Sequence, residues 1–117
     1  MSCSFRMSRR AVGNGSVIIT TVSAVLCAAH RDKTTREIHG HTWEISASFE
    51  WVSEHFEFYQ SRLSEVIKPF DHKCLPDEIA WGEPLAEYIA AALGKDCVRI
   101  RVNRPLERIS AEWSISQ

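Results

Sequence analysis

The stretch His39-Gly40-His41-Thr42-Trp43-Glu44-Ile45-Ser46-Ala47-Ser48-Phe49-Glu50-Trp51 carries the clearest pattern in the chain. Its odd positions hold both histidines, both tryptophans, Ile45, Ala47 and Phe49; its even positions hold Gly, Thr, Glu and Ser. Side chains of a β-strand alternate between faces, so this period of two predicts a strand with one buried and one polar face. His39 and His41 fall on the face predicted to be buried. Working toward the N-terminus, the polar run Arg31 to Glu37 predicts a turn, and Ser16 to His30, rich in Val, Ile and Thr, predicts a second strand that pairs with the first.

Toward the C-terminus, Phe56 to Lys68 predicts a helix, with Phe56, Tyr59, Leu63, Val66 and Ile67 near helical spacing and Pro69 ending it. A loop containing Phe70-Asp71-His72-Lys73-Cys74 follows. A second helix is predicted from Gly82 to Leu93, with Pro84 in its first turn and Gly94 just past its end. Two further alternating segments place Val98, Ile100 and Val102, then Ile109, Ala111, Trp113 and Ile115, on single faces. The predicted order is ββααββ, an α+β fold in which two helices cover one face of a four-stranded antiparallel sheet. Residues 1–16 read as a flexible N-terminal segment ahead of a single domain over 17–117.

Composition narrows the function classes. The chain has 117 residues, 44% of them hydrophobic, and a formal net charge of -1, without the basic field a nucleic-acid binder needs. Cys3, Cys27, Cys74 and Cys97 form no CxxC pair, so reduced thiols and a cytoplasmic location are expected. Arg6, Arg9 and Arg10 before the apolar run Val17 to Leu26 outline a signal peptide, but Thr20, Thr21 and Ser23 interrupt the run. No segment is long enough to span a bilayer as a helix, and no membrane partner is expected.

The histidines carry the chemistry. Residues two apart on a strand lie about 6.5–7 Å apart on one face, so two imidazoles can converge on one ion at zinc–nitrogen distances of about 2.0–2.1 Å. His30 ends the preceding strand and stands beside His39 across the hairpin. Three nitrogen ligands leave a fourth position open, as catalytic zinc requires. A single His-x-His is common among surface and core residues, so spacing alone leaves both readings standing.

These residues resemble the family of 6-pyruvoyl-tetrahydropterin and 6-carboxy-tetrahydropterin synthases over most of the chain after residue 16. Cys27-Ala28-Ala29-His30 is similar to its first zinc-histidine segment, His39-Gly40-His41-Thr42-Trp43 to its His-Gly-His strand, Phe70-Asp71-His72 to its Asp-His loop, and Gly82-Glu83-Pro84-Leu85-Ala86 to its second helix start. The resemblance implies a tunnelling fold whose sheets join into a barrel in a homo-oligomer, a trimer or a dimer of trimers, with sites between subunits. It implies Zn2+ on His30, His39 and His41, and a lyase acting on dihydroneopterin triphosphate or a related heterocycle, as in queuosine or tetrahydrobiopterin biosynthesis. Asp71 would polarise His72 for acid–base work.

Two positions depart from the family. Its thiol base precedes His-Gly-His, but Lys33 to Ile38 contains no cysteine, leaving Glu37 as the evident base, one residue out of register. Cys27 is expected on the opposite face from His30, and Cys74 near His72 is expected to be a small core residue. The family's pterin-anchoring glutamate at the end of the third strand is replaced by Arg104, which offers only donors. Glu107 is the expected substitute acceptor; otherwise it pairs with Arg104 or Arg108. The alternative function is a divergent homologue that keeps fold and zinc but binds a different, anionic small molecule.

Overall fold

The computed structural model describes residues 17–50, 52 and 54–115; the expected N-terminal segment 1–16 and Trp51 lie outside the described residues. Strand β1 (Ile19–Arg31) and strand β2 (Ile38–Glu50) form a long hairpin, followed by helix α1 (Phe56–Ile67), helix α2 (Gly82–Leu93), strand β3 (Cys97–Arg104) and strand β4 (Ile109–Ser114). The sheet is antiparallel with order β1-β2-β3-β4. Short 3-10 turns at Lys68–Phe70 and Asp77–Ile79 bracket the loop between the helices.

The alternation in β2 is realised on its apolar side from Trp43 to Phe49, whereas His39, expected on that buried face, is exposed at the hairpin mouth and Ser48, expected on the polar face, is buried. Trp43, Ile45, Ala47 and Phe49 are buried beneath the helices, joined by Val22, Leu26, Ala28 and His30 of β1 and Ile100 and Val102 of β3. On the reverse face, hydroxyls bridge the strands, with Thr21 Oγ1 2.8 Å from Ser48 Oγ and Ser23 Oγ 2.9 Å from Ser46 Oγ. Such cross-strand pairs hold register without apolar burial.

Helix α1 packs on β1, and α2 packs on β3 and β4. The stripe of α1 is Tyr59, Leu63 and Ile67, all buried; Phe56, expected to share it, is exposed because it starts the helix beyond the sheet's cover. In α2, Leu85, Ala86, Ile89, Ala90 and Leu93 are buried, and Gly94 ends the helix at φ 94°, a backbone region that glycine enters without a Cβ penalty. Strand β4 departs from its expected apolar face. Ile109 is exposed and Trp113 half-buried, since β4 is an edge strand only partly covered by α2.

The turn that closes the hairpin sets the geometry of its mouth. The Asp32 carboxylate accepts hydrogen bonds from the backbone N–H groups of Thr34 and Thr35 at 2.8 Å each. These two bonds hold the Asp32 carboxyl below its usual range. Arg36 takes the left-handed region at φ 66° and pairs with Asp77 at 3.3 Å, tying the turn to the loop before α2. The resulting register sets His30 directly opposite His39 and Ala28 opposite His41.

Candidate metal centre and cleft

His30 and His41 meet at the covered end of the hairpin. Their Nε2 atoms are 3.0 Å apart, and the ring centroids are separated by 4.8 Å. Trp43 and Trp81 stand edge-on to His30, closing two sides of the pair against water. Burial, then the nearby Arg104 guanidinium, push both imidazoles toward the neutral form, the form that binds a metal.

The donor set fits zinc in two respects. Two nitrogens 3.0 Å apart can both reach one ion at zinc–nitrogen distances of about 2.0–2.1 Å. Glu107 Oε2 also lies 3.5 Å from His41 Nδ1. A carboxylate behind a ligating histidine fixes its tautomer and raises its basicity. His39 stands apart: its side chain is 47% exposed and its Nε2 lies 3.7 Å from Glu37 Oε1. In this rotamer the three rings do not gather within 4.8 Å of one another.

A pH dependence follows from the depressed basicity of the pair. Between the ordinary histidine value of 6.5 and their lower folded values, the unfolded chain binds more protons than the native one. Stability of the metal-free protein therefore rises with pH across that window and is lost as pH falls through it. Urea unfolding with zinc chelated should show a lower midpoint at pH 5.5 than at pH 7.5 (about 2 units apart, spanning the histidine range). A His30→Gln/His41→Gln protein should lose most of that slope; an unchanged slope would show that the pair is not its source.

The second expected group lies beside β1. The loop after α1 runs along the outer edge of β1, where Ala29 N–H donates to the Lys73 carbonyl at 2.9 Å and Leu75 N–H to the Ala29 carbonyl at 2.7 Å. This short parallel pairing covers part of an otherwise open sheet edge. It presents Asp71 and His72 against the strand. Asp71 Oδ1 accepts from the Cys27 backbone N–H at 3.0 Å, and Oδ2 lies 3.0 Å from His72 Nδ1. The Cys27 bond, more than the imidazole, holds the Asp71 carboxyl below its usual range. His72 itself sits at φ 62°, a region uncommon for a residue with a Cβ.

Cys27 is the residue that sequence reasoning set aside. It does point away from the helix-covered face, opposite to His30, but the Asp71–His72 loop folds over onto that same side. The Cys27, Asp71 and His72 donor atoms all lie within 4.8 Å of one another, the one such group of three among the described residues, and could hold a metal ion. Alternation within a strand reveals its two faces, not which loop will cross the outer one. Cys74, expected in the core, is exposed because it pairs along the edge of β1 rather than beneath it.

One cleft of about 530 Å³ joins the two groups, lined by Cys27, His72 and Cys74 on one side and by His41 and Glu107 on the other. Arg104 lies behind Glu107, its Nε 3.2 Å from Glu107 Oε1 and its guanidinium 5.3 Å from the centre of the Trp43 ring. That hydrogen bond is the main reason the Glu107 carboxyl is held in its ionised form. Arg104 also lines a smaller cavity of about 210 Å³ with Trp43, Trp81 and Glu83. Glu37 remains at the exposed hairpin mouth beside His39.

Comparison with known proteins places these features. Residues 19–110 match the profile of the family described as 6-pyruvoyl tetrahydropterin synthase. The fold superposes on 6-pyruvoyl tetrahydropterin synthase from Caenorhabditis elegans with a TM-score of 0.71 at 13% identity, covering 94% of this chain and 100% of that one. The Plasmodium falciparum protein of the same name gives 0.62 at 15% identity, over 86% of this chain and 100% of that one. The Plasmodium vivax protein, solved with a catalytic glutamate changed to alanine, gives 0.58 at 12% identity, over 86% and 99%. No curated protein sequence matches the chain. The structural likeness, at these identities, is a likeness of fold: ββααββ as in the tunnelling fold of those proteins.

Proposed function

The chain belongs to the 6-pyruvoyl tetrahydropterin synthase family, and on that premise we propose that it is a zinc-dependent lyase acting on dihydroneopterin triphosphate or a related reduced heterocycle. The observation that carries this reading is the meeting of His30 and His41 Nε2 atoms at 3.0 Å, with His41 lining the cleft that also receives His72. His30 and His41 would hold the metal together with His39, which stands opposite His30 on the same face of the sheet. Zinc, when bound, supplies a Lewis acid that polarises substrate hydroxyls.

The chain's own groups do the rest. Asp71 takes the Nδ1–H of His72, which fixes the tautomer and leaves Nε2 to accept a proton from substrate. Glu37, at the hairpin mouth beside His39, is the second proton carrier. The catalytic glutamate of the Plasmodium vivax protein supports a carboxylate in such a role. Glu107 orients His41 and offers carboxylate oxygens to the N–H groups of a heterocycle, while Arg104 anchors Glu107 and receives an anionic substituent.

The active form is a homo-oligomer, a trimer or dimer of trimers, in which sheet edges pair into a barrel. The open edges of β1 and β4, with Val25 60% and Ile109 52% exposed, support it. No helix among the described residues is long and apolar enough to cross a membrane, and we assign the protein to the cytoplasm. A second reading, a homologue that keeps fold and zinc but takes a different anionic ligand, draws support from Arg104 at the end of β3.

The zinc-loaded protein should convert dihydroneopterin triphosphate with loss of its triphosphate, seen by mass spectrometry. Glu37→Gln and His72→Asn should each reduce the rate by about 10²–10⁴-fold, the usual worth of a positioned acid–base group. Stoichiometric zinc without turnover would sink the lyase reading and leave the second.

A further inference from the structure

The tip of the β1–β2 hairpin is bonded firmly to itself and loosely to the rest of the chain. Within it, the Asp32 N–H donates to the Glu37 carbonyl at 2.6 Å and the Arg36 N–H to the Asp32 carbonyl at 3.0 Å. Arg31 Nη1 donates to the Arg36 carbonyl at 3.1 Å, and the Glu37 N–H to Thr35 Oγ1 at 3.2 Å. Together with the bonds that the Asp32 carboxylate accepts from Thr34 and Thr35, they make residues 31–37 one stiff unit. Side chains alone join that unit to the segment ahead of α2: Arg36 Nη2 lies 3.3 Å from Asp77 Oδ2, and Lys33 Nζ 5.2 Å from the centre of the Trp81 ring. Among the described residues, no backbone hydrogen bond crosses between the two. Both contacts are weak. The Arg36 and Asp77 side chains are each 55% exposed, and an exposed ion pair shifts an equilibrium by about fivefold at most. An exposed cation–π contact is worth about two- to fivefold. What they hold nevertheless bears on the metal centre. Trp81 also stands edge-on to His30, its centroid 6.4 Å away, so Lys33 lies on the ring that closes one side of the histidine pair. Glu37 ends the stiff unit, and His39 follows two residues later.

We propose that the hairpin tip is a salt-sensitive strap, with Arg36, Asp77, Lys33 and Trp81 as positioning residues that keep Glu37 at the metal centre and slow the exchange of its metal. Because the tip is stiff, it undocks as one body. Loss of the two contacts carries Glu37 away from the site, uncovers Trp81 and opens the His30 side of the pair to water. Because both contacts are weak, the docked and undocked forms differ by small factors, and screening of the Arg36–Asp77 pair is enough to shift them. The metal and the task of Glu37 rest on the lyase reading above, but the docking of the strap does not.

Two measurements on the full-length protein test this. Acrylamide quenching of Trp81 in the metal-free form, taken as the difference between the parent and Trp81→Phe, reads the docking. Transfer of zinc from the loaded form to a chromophoric chelator reads its consequence. Raising salt from about 0.01 M to about 1 M, which shortens the Debye length from about 30 Å to about 3 Å, should speed both by about two- to fivefold, the worth of an exposed ion pair. Arg36→Asn, a residue that tolerates the left-handed backbone, should show the same rise already at low salt and lose most of the salt response. The exchanged pair Arg36→Asp/Asp77→Arg should return both rates toward the parent, which a merely structural role for Arg36 does not predict. Lys33→Gln should raise the quenching by a further two- to fivefold or so. Quenching indifferent to salt, parent behaviour in Arg36→Asn, or an exchanged pair as open as Arg36→Asn would overturn the strap. Quenching that responds while zinc release does not would overturn its hold on the metal. A strap that responds in a protein that leaves dihydroneopterin triphosphate untouched would uphold the docking and remove only the task assigned to Glu37.

Discussion

His30→Ala or His41→Ala should each weaken zinc binding by at least about a thousandfold. Loss of a group behind a ligand costs 10–100-fold in metal affinity, and loss of the ligand itself costs more. The pair is poised for this role by its surroundings: both rings are kept neutral by burial and by Arg104, and their Nε2 atoms already stand 3.0 Å apart. Competition with a chromophoric chelator measures the affinity directly. His39→Ala should also weaken binding, with the metal rather than the fold changing, since His39 is half exposed. Parent-like zinc affinity in the His30→Ala and His41→Ala proteins would move the metal elsewhere, with Cys27, Asp71 and His72 the next donors to test.

Trp43→Ala should destabilise the protein by about 3–5 kcal/mol, the usual cost of removing a large aromatic side chain from a core. Trp43 is 1% exposed and packs edge-on to both His30 and His41. Its Nε1–H donates to the Ala28 carbonyl at 3.0 Å, and Arg104 lies over its outer face. Removing it therefore opens a cavity, deletes the bond to the Ala28 carbonyl and frees the rings that would hold the metal. For a domain of this size the loss corresponds to a fall in Tm of more than about 10 °C. Trp43→Phe should recover most of the packing but not the hydrogen bond. Chemical denaturation of the three proteins, with and without zinc, separates those contributions. A loss below about 1 kcal/mol for Trp43→Ala would show that this residue does not brace the site.

The fold was legible because its strongest signals are local. The alternation from His39 to Phe49 needs only the two faces of a strand, and Pro84 with Gly94 marks the ends of α2 by backbone chemistry alone. Phe56 and Ile109 escaped because their exposure depends on where the helices stop covering the sheet. The site was legible in part. His30 and His41 could be assigned to one face from register, and Glu107 was an expected acceptor before its contact with His41 was visible. Cys27 was missed for a physical reason: its place beside Asp71 and His72 depends on a loop more than forty residues later in sequence, held to the strand by the Asp71 carboxylate and by backbone hydrogen bonds. Strand periodicity contains no information about that crossing. His39 marks the other boundary, since register places it opposite His30 while its side-chain rotation turns it to Glu37.

X-ray absorption at the zinc edge tests the central claim most directly. The account predicts a first shell of only nitrogen and oxygen at about 2.0–2.1 Å, with the outer-shell signature of imidazole rings and one light atom in the open position. A sulfur at about 2.3 Å would contradict it, because the histidine site contains no thiol and Cys27 faces away from His30.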